Sequence, residues 1–114
     1  MQNRLNPYFR EALENGVVYE CDQRGIAFLA YSPVGGGRLA KKLPQFPVLQ
    51  EIARAHDATP HAVVLAWVRS KGSTVMPIPG ARTVEHALDS VRSSALTLTA
   101  AEIAAIDATE FSRA

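Results

Sequence analysis

The sequence predicts an α/β fold built from parallel β/α units. Two short apolar segments, residues 26–31 and 74–78, have the length and composition of strands. Each is followed by a loop containing Gly and Pro and then by segments whose apolar residues recur at helical spacing. Strands that alternate with helices are typical of parallel sheets, because the helix returns the chain to the start of the next strand. We therefore expect about three parallel strands with covering helices, the first strand at residues 1–5.

The first half of the chain predicts one long helix and one strand. Residues 9–24 have a helical pattern that Gly16 weakens, since glycine disfavours a helix interior. Gly25 then introduces an apolar run without alternation at residues 26–31, which is typical of parallel strands buried on both faces. The following residues 38–46 are expected to form a loop.

Two helices are predicted between the second and third strands. Thr59 supplies an N-cap hydroxyl and Pro60 the first helical position of the second of these helices, which ends near Lys71. Trp67 lies on its apolar face, so we expect the indole in the core. The helix before it covers residues 47–56, and its apolar positions are Val48, Leu49, Ile52 and Ala53.

Two further helices follow the third strand, in which Pro77 limits the hydrogen bonds that the strand can donate. The last helix begins with a capping box, in which Thr99 and Glu102 each accept a hydrogen bond from the backbone near the other residue. The helix before it starts near residue 83 and has one apolar face, formed by Val84, Ala87, Leu88 and Val91.

Composition and charge narrow the class of protein. The chain has 114 residues, of which 47% are hydrophobic. This length and composition predict a single globular domain over residues 1–114. The net charge of +1 gives no basic surplus for nucleic acid, and no apolar run reaches the roughly 18 residues that span a membrane. Cys21 is the only cysteine and cannot form an intramolecular disulfide, which fits a reducing compartment. We expect a cytoplasmic protein.

The loops after the second and third strands are the places where a ligand is expected, because ligands bind at the carboxyl ends of parallel strands. The glycines at residues 35–37 allow close approach of the backbone to an anion, with Ser32 and Arg38 beside them. Arg82 precedes a helix and could favour a phosphate there. The alternatives, a plain flexible turn and a solvated arginine beside an ordinary cap, stay open from the residues alone.

Motifs along almost the whole chain resemble the aldo-keto reductase family. Residues 2–6 (QNRLN) are similar to the family's sixth barrel strand, and residues 25–37 (GIAFLAYSPVGGG) to its seventh strand and the following loop. Residues 58–60 and 66–68 resemble the seventh helix, residues 77–82 (PIPGAR) the eighth strand and its phosphate-binding turn, and residues 96–102 (LTLTAAE) the closing helix. The resemblance implies a partial (β/α)8 TIM barrel in which this chain is the carboxyl-terminal part.

The resemblance also implies a cofactor, NADP, and a role for each matching residue. Gln2 would bind the nicotinamide carboxamide, and Tyr31 would stack on the nicotinamide ring. Arg82 would contact the 2′-phosphate that distinguishes NADP from NAD, although Ser90 stands where the family usually has Asn, which leaves the preference open. The other implied cofactor residues are Ser32, Val34, Gly35 and Gly36 at the pyrophosphate, Ile78, Gly80 and Ala81 at the adenosine end, and His86, Asp89 and Ser90 at the adenine.

No catalytic residue is predicted in this chain. The family's acid tyrosine and its lysine, aspartate and histidine come from the first half of the barrel and have no match here. Tyr8 and Tyr19 are expected to be packed or surface aromatics. No metal site is predicted either, because His56, His61 and His86 are too dispersed and are expected at the surface or near the adenine.

Three hypotheses about function follow. In the first, the chain is part of an NADP-dependent reductase, separated by truncation, a split gene or an incomplete gene model, and inactive alone; a small carbonyl substrate would bind only in a complete barrel. Met1 directly before Gln2 motivates this expectation. In the second, the chain is a non-catalytic nucleotide-binding or interaction module. In the third, chains associate with one another through open sheet edges and uncovered apolar faces.

Overall fold

The sheet contains three parallel strands that neighbour one another in chain order. This computed structural model describes residues 1–78 and 84–113, with the backbone alone for residues 85 and 86. The elements in chain order are β1 (Gln2–Arg4), α1 (Glu11–Glu14), α2 (Val17–Arg24), β2 (Phe28–Tyr31), α3 (Gly37–Lys42), α4 (Pro47–Ala55), α5 (Pro60–Arg69), β3 (Val75–Ile78), α6 (Val84–Ser94) and α7 (Ala100–Ala108). The predicted α/β class with parallel strands and covering helices is confirmed.

The register of the sheet fixes which side chains share a face. Tyr31 of β2 lies between Arg4 of β1 and Ile78 of β3. Because side chains alternate along a strand, the residues two positions earlier face the same way. In the three strands these residues are Gln2, Leu29 and Met76, which are also partners in the register.

Only one face of the sheet is covered, which corrects the prediction that β2 is buried on both faces. Phe28 and Ala30 are fully buried and belong to the hydrophobic core together with side chains of α4, α5 and α7. Leu29 is half-buried, and Tyr31 keeps 40% of its surface exposed on the opposite face. The apolar composition of residues 26–31 therefore indicates two apolar faces, but among the described residues only one of them meets a helix layer.

Trp67 of α5 is fully buried at the centre of the core, which confirms its prediction. Its indole Nε1–H donates to Oδ1 of Asp107 over 2.9 Å, and Lys71 donates to the same oxygen. Burial by itself would raise the pKa of Asp107, but these two hydrogen bonds and the positive charges of Lys71 and Arg10 together lower the pKa. The indole thus places its polar atom against α7 while its rings fill the core.

The predicted helix starts are confirmed where a local cap specifies them. The Thr59 hydroxyl accepts the N–H of Ala62 at 3.1 Å, with Pro60 at the first position of α5. At α7, Thr99 accepts the N–H of Glu102, and Glu102 accepts the N–H of Thr99. Each contact satisfies a backbone donor that the first helical turn leaves without a partner.

Two segments differ from their predictions. The helix predicted over residues 9–24 is divided into α1 and α2, because Gly16 adopts a left-handed conformation with φ of +82°. The predicted loop at residues 38–46 contains α3 and a 3-10 turn at Leu43–Gln45. Leu43 is fully buried there, so the segment is ordered by an apolar anchor rather than by a strong helical pattern.

The apolar face predicted on α6 is exposed in this chain. Val84 and Val91 keep 76% and 69% of their surface, and Leu88 is also exposed. The helix is instead held through its polar side: Asp89 and Ser93 are buried, and Arg69 of α5 donates to the hydroxyl and the carbonyl of Ser93.

Along the described stretches of the chain, no helix is both long and apolar enough to cross a bilayer.

Candidate functional site

The open face of the sheet brings three predicted cofactor residues together. Tyr31 and Ile78 end neighbouring strands, lie opposite each other in register and are 40% and 43% exposed. Gln2 is exposed on the same face, one row earlier and on the next strand. An aromatic ring, an apolar side chain and a primary amide therefore share one accessible face of the sheet, with Tyr31 and Ile78 at its carboxyl edge.

Ser32 follows Tyr31 and begins the loop beside this surface. Its φ of +49° is uncommon for a residue with a side chain. Two hydrogen bonds to its carbonyl hold it: Asn6 Nδ2 donates over 2.8 Å, and the Gly35 N–H donates over 2.9 Å. The unusual backbone angle is thus imposed by the surroundings, as expected at a functional loop.

Asn6 is a site residue that sequence reasoning missed, since the sequence marks it only as part of the strand motif at residues 2–6. Its side chain is fully buried, and its Oδ1 accepts the N–H groups of Tyr8 and Phe9 at 2.9 and 3.0 Å. The amide therefore joins the turn after β1 to the loop after β2. The signal available in the sequence is an asparagine placed after a strand and directly before Pro7, a typical turn position.

Gly35 lies in the tightest part of the loop. Its φ is +95°, and a Cβ atom there would come within 3.0 Å of the Leu39 Cβ and 3.1 Å of the Tyr8 ring. Val34 beside it is half-buried and packs against the core. The loop therefore approaches the protein closely at residues 34 and 35, and a side chain at Gly35 would press against Leu39 and Tyr8 while holding a left-handed backbone.

Gly36 and Gly37 face the opposite way, into open space. Both have positive φ angles, and a Cβ at either position would meet nothing within 4 Å. In the described part of the chain, the N–H of Gly36 has no acceptor. A backbone donor without an acceptor among the described residues, at an exposed glycine, suits an anion such as a pyrophosphate, so this segment fits the predicted group.

Arg38 and Lys42 add positive charge beside the glycines. Arg38 Nη2 donates to the Arg113 carbonyl over 2.7 Å, and Lys42 donates to the Ser112 carbonyl over 2.9 Å. The predicted cation at the glycine loop is present, and it also holds the carboxyl-terminal segment against α3.

The predicted adenine-side residues lie on α6. Asp89 is 8% exposed, and its Oδ1 accepts the hydroxyl of Thr59 over 2.9 Å. Ser90 is half-buried, and its carbonyl accepts the hydroxyl of Ser93. The side chain of His86 and the residues Gly80, Ala81 and Arg82 lie outside the described residues.

The tyrosines have the packed and surface positions expected of them. Tyr8 is buried, and its hydroxyl donates to the Leu39 carbonyl over 2.8 Å. Burial raises the pKa of Tyr8, and nearby Arg38 lowers it by less. Tyr19 is exposed on α2.

Two histidines have partners that sequence spacing did not indicate. His56 Nε2 lies 2.7 Å from Oε1 of Glu102, which is 46 residues further along the chain. His61 Nε2 lies 2.8 Å from the Ala40 carbonyl. The His56–Glu102 contact is a link between α4 and α7 and lies among structural elements rather than at the open sheet face.

Comparison with known proteins agrees with this geometry. A methylglyoxal reductase of Escherichia coli, YeaE, is 37% identical over 97 residues, which are 81% of this chain and 34% of that protein. An uncharacterized oxidoreductase of Schizosaccharomyces pombe is 30% identical over 107 residues, or 94% of this chain and 33% of that protein. The chain thus spans about one third of the length of these curated relatives.

Solved structures show the same fold. A thermostable aldo-keto reductase in complex with epalrestat superposes with a TM-score of 0.81 at 31% identity, covering 93% of this chain and 38% of that one. An aldo-keto reductase from Klebsiella pneumoniae in complex with NADPH gives a TM-score of 0.81 at 28% identity, covering 93% and 37%. The three parallel strands and their helices therefore match part of a TIM barrel. The Aldo/keto reductase family model matches residues 1–110, and the chain belongs to that family.

Proposed function

We propose that this chain forms the NADP(H)-binding portion of an aldo-keto reductase, an oxidoreductase that reduces a carbonyl to an alcohol by hydride transfer. The observation that carries the proposal is the open face of the sheet shared by Gln2, Tyr31 and Ile78, the last two at its carboxyl edge. A structural relative bound to NADPH, the Klebsiella pneumoniae enzyme, supports the choice of cofactor.

The open face would hold the reactive end of the cofactor. When bound, NADPH supplies the hydride; the residues of this chain bind and orient it. Tyr31 offers a flat ring face for stacking on the nicotinamide, and Gln2 offers an amide that can both donate to and accept from a carboxamide. Because both side chains are exposed, they can meet a ligand without rearrangement of the core.

The loop after β2 would hold the pyrophosphate. Two hydrogen bonds to the carbonyl of Ser32 fix its position, and its hydroxyl is the side-chain group that can donate to a phosphate. Gly36 offers a backbone N–H that has no acceptor among the described residues, while Gly35 and Val34 anchor the loop to the protein. The adenosine end is assigned to Ile78, Gly80, Ala81 and Arg82, and the adenine to His86, Asp89 and Ser90.

We assign no catalytic residue to these 114 residues, and we propose that this chain alone, a single domain, does not reduce a carbonyl. The acid and its tuning residues that the family uses have no counterpart here, so a small carbonyl substrate would react only in a complete barrel. We propose a cytoplasmic location, which the lone buried Cys21 supports.

Titration of the purified chain with NADPH, followed by the fluorescence of the dihydronicotinamide, tests the binding proposal. We expect saturable binding in the micromolar range, and competition by NADP⁺. Absence of any change up to millimolar cofactor would contradict it. An NADPH-dependent carbonyl reduction assay on this chain, beside a version extended with the family's preceding β/α units, tests the second part: turnover is expected only in the extended version.

Self-association is a second candidate, and the exposed face of α6 favours it. Val84, Leu88 and Val91 form a row of exposed apolar side chains, and surfaces of this kind commonly bind protein. We expect the chain to elute from a sizing column as more than a monomer. A Leu88→Lys, Val91→Lys double variant should shift it to a monomer with unchanged circular dichroism, whereas a wild-type chain that elutes as a monomer contradicts the proposal.

A further inference from the structure

Arg4 ends β1 at the same level of the sheet as Tyr31. The two residues are partners in the register, so Arg4 belongs to the open face that would hold the nicotinamide. Its side chain is exposed, and its guanidinium carbon lies 3.6 Å from the centroid of the Phe9 ring. The ring holds the cation in place by a cation–π contact.

A second guanidinium shares the same ring. The guanidinium carbon of Arg113 lies 4.6 Å from the Phe9 centroid. The backbone at Arg113 is held by Arg38, whose Nη2 donates to the Arg113 carbonyl. The two guanidinium groups of Arg4 and Arg113 are therefore closer together than the Debye length of about 10 Å at 0.1 M salt, so each feels the other's charge.

This pair of cations has no counter-charge in the part of the chain that the structure describes. The ion pairs found there join Glu20 to Arg24, His56 to Glu102 and Lys71 to Asp107. Neither the Arg4 nor the Arg113 guanidinium donates to an acceptor among the described residues. Contact with the face of the half-buried Phe9 ring leaves the N–H donors at the edge of each guanidinium open to a ligand.

Open guanidinium donors at this position favour a carboxylate. The planar fork of an arginine matches the two oxygens of a carboxylate, with two parallel hydrogen bonds. Arg4 and Tyr31 lie on neighbouring strands, about 4.8 Å apart, so a group bound at Arg4 lies on the same face as one over Tyr31. A small molecule can span both positions if it carries an acid group a short distance from its carbonyl.

We propose that Arg4 and Arg113 bind the carboxylate of the substrate, so that the carbonyl compound reduced at this site is an oxo-acid or an aldehyde bearing an acid group. The assignment of this anion to the substrate rests on the proposed cofactor site beside Tyr31. The anion site itself depends only on Arg4, Phe9 and Arg113. A phosphate group of the cofactor is also an anion that guanidinium groups bind, and the experiment distinguishes it from a substrate carboxylate.

The test is a titration of the ¹⁵N-labelled chain with sodium benzoate, followed by NMR shifts of the Arg4 and Phe9 amides, with benzamide as the uncharged counterpart. We expect saturable shifts with benzoate and none with benzamide. Arg4→Gln and Arg113→Gln should each weaken benzoate binding about tenfold, the loss expected for one charged hydrogen-bonded contact. Arg54→Gln, which removes an exposed cation on α4, should leave it unchanged.

Three results would overturn the proposal. Equal benzoate affinity in the wild type and Arg4→Gln would remove Arg4 from the site. Equal shifts with benzamide would show that binding does not depend on the negative charge of the ligand. Loss of benzoate binding in saturating NADP⁺ would assign the site to a cofactor phosphate. Failure of NADPH binding is detected separately, by cofactor fluorescence. That failure would overturn the proposed function and the assignment of the anion to a substrate. The benzoate titration without cofactor would still test the anion site itself.

Discussion

The hydroxyl of Thr59 donates to Oδ1 of Asp89 over 2.9 Å while accepting the N–H of Ala62 at 3.1 Å. Thr59 is the N-cap of α5, and Asp89 lies on α6, so one hydroxyl joins the start of one helix to the middle of the next. The arrangement also places the carboxylate near the amino-terminal end of α5, where the helix dipole favours negative charge. A structural cap and a proposed adenine-side residue are thus coupled.

Thr59→Val tests this coupling. The substitution removes the cap and leaves the buried Asp89 carboxylate without its donor, so the free energy of unfolding should fall by about 2 kcal/mol. Thr59→Ser retains the hydroxyl and should stay within about 0.5 kcal/mol of the wild type. Urea unfolding followed by circular dichroism measures both. Equal losses in the two variants would show that the methyl group, rather than the hydroxyl, is what α5 needs.

Tyr31 is predicted to matter for cofactor binding and little for folding. Stacking on an aromatic side chain is worth about 1–3 kcal/mol per base, so Tyr31→Ala should weaken NADPH binding by about tenfold or more. Tyr31→Phe retains the ring and should bind nearly as the wild type does. Because Tyr31 is 40% exposed, urea unfolding should change little in either variant.

Tyr19→Ala is the matched control, since Tyr19 is an exposed tyrosine on α2 and outside the proposed site. Its NADPH affinity should equal that of the wild type in the same fluorescence titration. An equal loss of affinity in Tyr19→Ala and Tyr31→Ala would remove Tyr31 from the cofactor site.

The parts of the fold that sequence predicts are those specified by neighbouring residues. The capping box of Thr99 and Glu102 and the cap at Thr59 each lie within four residues of the backbone group that they satisfy. The placement of Tyr31 and Ile78 side by side at the carboxyl edge of the sheet also follows from local information, because strand ends are visible in the sequence and parallel strands align their ends, whereas the exposure of that face does not.

The parts that sequence does not predict depend on contacts between distant segments. His56 meets Glu102 across 46 residues, and no spacing rule indicates that pair. Asn6 gains its role from the carbonyl of Ser32, 26 residues away. An apolar pattern, as on α6, indicates that a face could be buried and does not indicate what covers it, so the exposure of Val91 could not be predicted.

The stability of the chain should depend on Glu102 in acid. The hydrogen bond from the Thr99 backbone, followed by that from His56, lowers the pKa of Glu102 below its ordinary value of 4.5. A carboxyl group with a lower pKa in the folded state stabilises that state above its unfolded pKa, and this contribution is lost as the pH falls through the folded pKa. The free energy of unfolding should therefore decrease as the pH falls below about 4.5.

Glu102→Gln isolates this effect. The amide can still accept the Thr99 N–H but does not titrate, so the variant should be less stable than the wild type at neutral pH and should approach it in acid. Glu110→Gln, just beyond α7, serves as the control and should retain the acid dependence of the wild type. Urea unfolding across the acid range measures the difference, and parallel curves for Glu102→Gln and the wild type would contradict the role of the Glu102 charge.

Gly35 and Gly36 are predicted to differ although they are neighbours with positive φ angles. Gly35→Ala forces a methyl group against Leu39 and Tyr8 in addition to the cost of the left-handed backbone, so the free energy of unfolding should fall by about 3 kcal/mol. Gly36→Ala meets open space and should lose only the backbone contribution, about 1 kcal/mol. Its methyl group stands where the phosphates would approach, so NADPH affinity should fall more than stability does. Equal unfolding energies for the two variants would mean that Gly35 does not pack tightly against Tyr8, and an unchanged NADPH affinity in Gly36→Ala would place the pyrophosphate elsewhere.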